Sequence, residues 1–220
     1  MLRIGLTGGL GSGKTTAARI FHELGAHTLS ADDIGRALMQ PGERVFDQIV
    51  SAFGPRVVRN DGQLDRPELA RRVFSNPAAL QQLNCIVHPA VIVEQDRQIE
   101  LISEIEPEAV VIVESALIFE VERDNTAPGW KDRFDKLILV TAPDEVKTAR
   151  YLARLEASSG QPLTADQAET ATADAHRRMA ALITDEEKAS RCDFVIRNDG
   201  TRDELAEKVA EVYRQLATRA

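Results

Sequence analysis

Cysteine is scarce: the 220-residue chain carries only Cys85 and Cys192. They lie far apart with no C-x-x-C partner, which excludes a disulfide framework and leaves no metal signature, so both are expected as buried small apolar side chains. Long apolar runs are also missing. None reaches the roughly 18 residues of a membrane-spanning helix, and the first expected strand begins at Leu2, leaving no room for a signal peptide. No membrane partner and a cytoplasmic location are the expectation. Positive charge is in deficit as well, with 27 lysines and arginines against 35 acidic residues and a net charge of −8. Such a surface repels nucleic acid, so any basic residues that bind phosphate must be grouped locally. There is no low-complexity tract and no internal repeat. What is present, 43% hydrophobic residues, suits one α/β core with one or two inserted pieces.

The most informative stretch is Gly8-Gly9-Leu10-Gly11-Ser12-Gly13-Lys14-Thr15, which has the G-x-x-x-x-G-K-[ST] spacing of a phosphate-binding loop. Its context fits: Leu2 to Thr7 reads as a short buried strand, and Thr15 to Leu24 reads as a helix with Ala18, Phe21 and Leu24 on its apolar face. Glycine permits the backbone angles that turn successive amide N–H groups inward onto phosphate oxygens. The start of a helix adds its own free N–H groups and dipole. Lys14 supplies full positive charge to the β- and γ-phosphates, and the Thr15 hydroxyl suits Mg²⁺. The chain is therefore expected to bind a nucleoside triphosphate.

Beyond Gly25, residues 26–30 read as a second strand ending at Ala31-Asp32-Asp33. Acidic residues at that strand end share the sheet edge with the phosphate loop. One aspartate is expected to cap the next helix, Ile34 to Met39, and the other to act on substrate. From Pro41 to about Glu104 the pattern is helical: Glu43 to Phe53, a turn at Asn60-Asp61-Gly62, a helix from Pro67 toward Phe74, and another from Pro77 toward Leu83. Such an insertion suits an acceptor-binding domain, although it could equally be structural. Ala109 to Val113 is a continuous apolar central strand ending at Glu114. Leu117 to Glu120 leads into a charged loop over 122–132, followed by a fourth strand over 136–140. A long helix then places Arg150 and Arg154 on one face, commonly a solvated arrangement. Residues 158–176 read as helix, turn and helix with a thin core, a segment able to move as a cap. Cys192 to Ile196 is a fifth strand, and Thr201 to Glu204 a capping box that opens a last helix carrying Leu205, Val209, Val212 and Leu216.

Along nearly its whole length the sequence resembles the dephospho-CoA kinase family. The resemblance rests on the phosphate loop, Ala31-Asp32, Phe53-Gly54, Asp61-Gly62-Gln63-Leu64-Asp65-Arg66, Leu83-Asn84 with His88-Pro89, Leu117 to Glu120, Arg150 with Arg154, and Ile196 to Gly200. It departs at Ala116-Leu117-Ile118, where the family has Pro-Leu-Leu, and at Arg178 to Leu182, where Arg-Ile-x-x-Gln is usual.

The resemblance implies a three-layer P-loop kinase fold, a five-stranded parallel sheet flanked by helices. It implies a nucleotide-binding core over 1–36, 105–142 and 191–220, a helical acceptor domain over 37–104 and a lid over 143–190. ATP and Mg²⁺ are the implied cofactors and dephospho-CoA the acceptor, phosphorylated at its ribose 3′-hydroxyl to give coenzyme A. Contacts to the nucleotide fall to Gly9, Gly11, Ser12, Gly13, Lys14, Thr15, Thr16, Asn198 and Gly200, the last two near the adenine through backbone groups. Thr15 serves the metal. Thr7, Asp32, Arg66, Asn84, His88 and Leu117 meet the acceptor, with Asp32, Lys14 and Arg150 catalytic and Asp32 either the base or an anchor for Mg²⁺-bound water. In isolation Asn84 reads as a capping amide and His88 as a helix-end histidine. A monomer is expected, with an oligomer left open.

Two other readings compete. A kinase for a nucleoside monophosphate or shikimate would share the phosphate loop, and only the resemblance chooses against it. A GTPase would need an Asn/Thr-Lys-x-Asp motif after the fourth strand, where Val140-Thr141-Ala142-Pro143 stands instead.

Overall fold

The computed structural model describes residues 1–127 and 129–217, so Pro128 of the expected charged loop lies outside the described residues. Five parallel strands form one sheet: β1 (Leu2–Thr7), β2 (His27–Ser30), β3 (Val110–Glu114), β4 (Lys136–Thr141) and β5 (Phe194–Arg197), in the spatial order β2-β3-β1-β4-β5. The switch point falls at β1, so its carboxyl end opens onto the crevice where open α/β sheets bind ligands.

Strand alternation divides the core. Ile4, Leu6, Ile112, Ile138 and Val140 face Ala17, Ala18 and Phe21 of α1 (Lys14–Glu23) and Leu205, Val209 and Leu216 of α10 (Arg202–Ala217). Val111 and Val113 face the other side, against Ile99. The two-residue period sends β3 side chains alternately to these two covered faces, so every one is buried, which is why the strand reads as an apolar run. Leu24, expected on the apolar face of α1, instead caps that helix and is 38% exposed.

Between β2 and β3 the chain builds α2 (Ala31–Leu38), α3 (Arg44–Phe53), α4 (Arg66–Phe74) and α5 (Pro77–Ile105). These helices have a core of their own, centred on Val45, Ile49, Val57, Leu64, Leu69 and Val73. A 3₁₀ turn over Pro55–Val57 and an antiparallel bridge between Val58 and Leu64 close the turn at Asn60 to Gly62. The helix from Pro77 does not stop near Leu83: it runs 29 residues, straight through Pro89. A mid-helix proline costs about 3 kcal/mol or more. Apolar packing on both sides of it, Leu80, Leu83 and Ile86 before and Val91 and Ile99 after, offsets that penalty.

After β3 come α6 (Ile118–Arg123), β4, then α7 (Asp144–Ser159), α8 (Ala165–Ala180) and α9 (Asp185–Ala189). A left-handed Gly160 ends α7, and a Thr164–Gln167 capping box opens α8. The thin core expected here is Tyr151, Ala171 and Ala175, packed against Leu10 of the phosphate loop. Cys192 is partly buried, and burial pushes its thiol up to about 12, whereas Cys85 is exposed, against expectation. Cys85 lies on α5, just beyond Leu83, toward which the helix from Pro77 was expected to run. Among the described residues no helix is long and apolar enough to cross a membrane.

Candidate active site

The phosphate loop connects β1 to α1, and three of its glycines are required by close approaches, Gly8 because a Cβ there would lie 2.4 Å from the carbonyl oxygen of Val140. Gly11 has φ 71°, and a Cβ there would lie 2.2 Å from the carbonyl oxygen of Lys147; Gly13 has φ 92°, and a Cβ would lie 2.1 Å from Asn198 Nδ2. Gly9 lines a cavity of about 510 Å³ bounded by the end of β4 and by the segment from α8 to α9. Lys14 and Thr15 stand in the first turn of α1. Thr15 Oγ1 donates to Glu114 Oε1 at 2.6 Å, and Lys14 Nζ lies 3.7 Å from the same oxygen. Thr16 follows on α1 and is half-buried, while Ser12 is buried with its hydroxyl unpartnered among the described residues.

Asn198 and Arg150 close the other side of the loop. Asn198, buried beyond the end of β5, donates from Nδ2 to Ser12 O at 2.8 Å. Arg150 donates to Asn198 O at 3.0 Å and to Asn198 Oδ1 at 3.3 Å. The guanidinium Nη1 comes within 3.9 Å of the point a Gly13 Cβ would occupy. Arg150 is thus no solvated surface arginine; it is held beside the phosphate loop. Arg154 instead lies over the Tyr151 ring, 5.6 Å from its centroid. Gly200 is exposed, and its bare Cα admits Glu204, whose Oε2 accepts from Thr201 N in the expected capping box.

At the end of β2 neither aspartate is the cap. Ser30 is, accepting from Asp33 N at 3.2 Å, because the helix starts at Ala31, three residues earlier than expected. Asp33 pairs with Arg36 at 2.5 Å on the surface. Asp32 has no partner among the described residues and lines a cavity of about 160 Å³ with Gly35, His88, Ser115 and Leu117. His88 and Leu117 also line a groove of about 470 Å³ that contains Arg66, Asn84 and Glu120. Five of the six residues expected to meet the acceptor therefore surround two adjoining hollows. The sixth, Thr7, is fully buried at the end of β1 with its hydroxyl unpartnered among the described residues.

Asn84 and His88 are mid-helix, one turn apart on α5, so neither is a helix-end group; the cap of α5 is Asn76. His88 Nδ1 sits 2.8 Å from Thr126 Oγ1, whose hydroxyl also reaches Val121 O at 3.3 Å. Burial pulls the His88 pKa below its usual 6.5, with Asp124 opposing more weakly. At neutral pH its ring is uncharged.

Residues 2–204 match the family model described as dephospho-CoA kinase. The chain belongs to the dephospho-CoA kinase family. It is 42% identical over 154 residues to a dephospho-CoA kinase of Moorella thermoacetica, covering 70% of this chain and 69% of that one. Over 216 residues it is 38% identical to that of Leifsonia xyli, covering 98% and 99%. A crystal structure of a Thermus thermophilus protein superposes with a TM-score of 0.74 at 32% identity, covering 98% of this chain and 97% of the other. Dephospho-CoA kinase from Campylobacter jejuni, at 22% identity and TM-score 0.65 over 98% and 97%, shares the fold. As a member of this family the chain is an enzyme, a kinase of coenzyme A synthesis.

Two groups in this kinase were missed by residue reasoning. Glu114 had a signal, an acid closing an apolar strand at the ligand-binding edge of the sheet. The second has less: Lys147, 5% exposed, pairs with Asp185 at 2.5 Å and Asp144 at 3.0 Å, while Thr141 donates to the same Asp185 carboxylate. Burial works against the Lys147 charge, but hydrogen bonds to Asp185 and Asp144 outweigh it and raise its pKa. This cluster ties α7 to the start of α9 and the end of β4, and Gly11 packs against the backbone of the same Lys147.

Proposed function

We propose that the chain transfers the γ-phosphoryl group of ATP to the ribose 3′-hydroxyl of dephospho-CoA, giving coenzyme A and ADP. The observation that carries this reading is the unpartnered Asp32 carboxylate. It lines a hollow that shares Met39, His88 and Leu117 with the Arg66–Asn84 groove, on the sheet edge that also bears the phosphate loop. Helices over 37–104 form the acceptor domain in this reading, 143–190 the lid, and the remaining segments the nucleotide core.

Phosphoryl transfer asks the protein mainly for position and charge. The amides of Gly9, Gly11, Ser12 and Gly13 receive phosphate oxygens, Lys14 neutralises the β- and γ-groups, and Thr16 extends the contact along α1. Asn198 is occupied by Ser12 and Arg150, so it serves the nucleotide by bracing the loop, with the adenine left to the backbone near Gly200. Thr15 and Glu114 fit Mg²⁺: the hydroxyl donates its hydrogen bond to the carboxylate and keeps its lone pairs, a hard-oxygen pair that would leave other positions to phosphate and water. When bound there, Mg²⁺ supplies positive charge to the β- and γ-phosphate oxygens. No cluster of three or more candidate ligands occurs among the described residues, in keeping with an ion that arrives with its nucleotide.

Asp32 takes the proton of the 3′-hydroxyl as that oxygen bonds to phosphorus and the bond to ADP breaks. Arg150 stands where charge spreads during transfer. Arg66, Asn84, His88 and Leu117 hold the acceptor, and Thr7 shapes the loop from beneath. One chain supplies every part, so a monomer suffices, working in the cytoplasm where ATP is available. ATP consumption measured side by side with dephospho-CoA, AMP and shikimate tests the reading. Turnover confined to dephospho-CoA is expected; preference for either other acceptor overturns it.

A further inference from the structure

Lys188, at the end of α9, is fully buried, a rare state for a lysine. Its Nζ lies 2.8 Å from Glu120 Oε1 and donates to Ala116 O at 3.5 Å. Glu120 is itself only 4% exposed, and the same Oε1 accepts the backbone N–H of Ile183 at 3.0 Å. One carboxylate oxygen is therefore doubly engaged. The other, Oε2, is buried without a partner among the described residues. A carboxyl oxygen left without a partner in such a place is costly, and a purely structural pair would do better with both oxygens engaged. Yet Glu120 lines the groove that holds Arg66, Asn84 and His88.

We propose that Glu120 is a specificity-determining residue that accepts, through Oε2, a hydrogen bond from an amide N–H or hydroxyl of the acceptor's pantetheine arm. Lys188 is the positioning residue that holds it. The inference rests on the groove being the acceptor site. The sign of the charge selects the ligand group: a carboxylate repels phosphate, so what it meets is a neutral donor, and the groove around it, with Leu69, Val73, Leu80 and Leu83, suits an arm that is largely uncharged. Lys188 contributes in two ways. It pins Oε1, which fixes where Oε2 points, and it holds the Ala116 carbonyl beside Leu117. The pair also ties the end of the lid segment to the wall of the acceptor groove.

The test is the double variant Glu120→Gln/Lys188→Met, which keeps both shapes and removes both charges. The carbonyl of the substituted side chain still accepts from Ile183 N, while its amide places a donor where an acceptor stood. The expected result is a rise of about tenfold in KM for dephospho-CoA, the size of one lost hydrogen bond to a charged group, with KM for ATP within twofold. Calorimetric binding of dephospho-CoA should weaken in parallel. If the double variant does not fold, Glu120→Gln alone is assayed below its own melting temperature with the same expected split. Unchanged KM for dephospho-CoA overturns the proposal, as does an equal rise for both substrates. Adenosine, which lacks the arm, should be phosphorylated equally poorly by wild type and variant; a matching loss with adenosine moves the contact to the nucleoside and overturns the assignment to the arm. A wild-type protein that turns over no dephospho-CoA overturns the functional reading and this inference together, whereas wild-type turnover with an unaltered variant overturns this inference alone.

Discussion

Two adjacent aspartates have opposite surroundings, and this decides what each can do. Asp33 is bonded to Arg36 at the surface; Asp32 faces a cavity with its lone pairs free. Asp32→Asn should preserve shape and ATP affinity but lower kcat by on the order of 10²-fold or more, the usual contribution of a positioned proton acceptor. Asp33→Asn loses an exposed ion pair and should stay within about 1 kcal/mol of wild type, with kcat intact. Steady-state kinetics and thermal melts on both separate the roles, and a larger kcat loss at Asp33 would overturn them. His88 offers a second residue-level test. Because burial depresses its pKa below 6.5, the unfolded chain binds the proton more readily, and stability rises with pH across the interval between the two values. The contribution is complete above about pH 6.5 and is lost as the pH falls through the folded-state pKa. His88→Gln should therefore flatten the decline of Tm as the pH falls below about 6.5; parallel wild-type and variant curves would contradict the buried neutral ring.

Elements meet at the phosphate loop through one amide. Asn198 joins three of them: Ser12 before α1, its own loop after β5, and Arg150 on α7. Asn198→Ala should cost about 1–3 kcal/mol, because it strands buried partners, and it should also weaken ATP binding by freeing both the loop and Arg150. Melting curves with and without nucleotide check both effects, and loss of stability alone would limit Asn198 to a fold role. At this scale the sequence was most readable where local rules and burial agree. The five strands, the glycine-rich loop and the Thr201–Glu204 box are examples. It was least readable where tertiary packing extends an element beyond its local signal, as in the helix from Pro77, read only toward Leu83 and with His88 at a helix end, which runs on through Pro89 under apolar contacts on both sides. The early start of α2 is a smaller case: Ser30 caps it, and two acidic residues in its first turn suit the dipole as well as a cap would.

For the whole molecule, the phosphate loop and the groove proposed for the acceptor sit on separately packed units. The phosphate loop is backed by the sheet, α1 and α10, whereas the groove is walled by α4, α5 and α6. The family motifs single out residues of the loop and of the groove, but the partnerships that build these places join residues remote in sequence, Thr15 with Glu114, Arg150 with Asn198 and Lys188 with Glu120. No spacing rule reports such pairs. This division yields a prediction with an internal control. Lys14 lies 3.7 Å from Glu114, which keeps its bond from Thr15 when the lysine is lost. Lys14→Ala should therefore leave the ligand-free Tm within a few degrees of wild type, while phosphate binding loses its main charge. For wild type, ATP·Mg²⁺ at 100 times its Kd stabilises by about 2.7 kcal/mol, a rise of roughly 5–10 °C for a chain of this size. The variant should lose most of that shift yet keep the shift produced by dephospho-CoA alone, since the acceptor unit is untouched. Retention of the full ATP shift with normal turnover would refute the phosphate-cradle reading, and loss of both shifts would show that the two sites do not fold and bind as separate units.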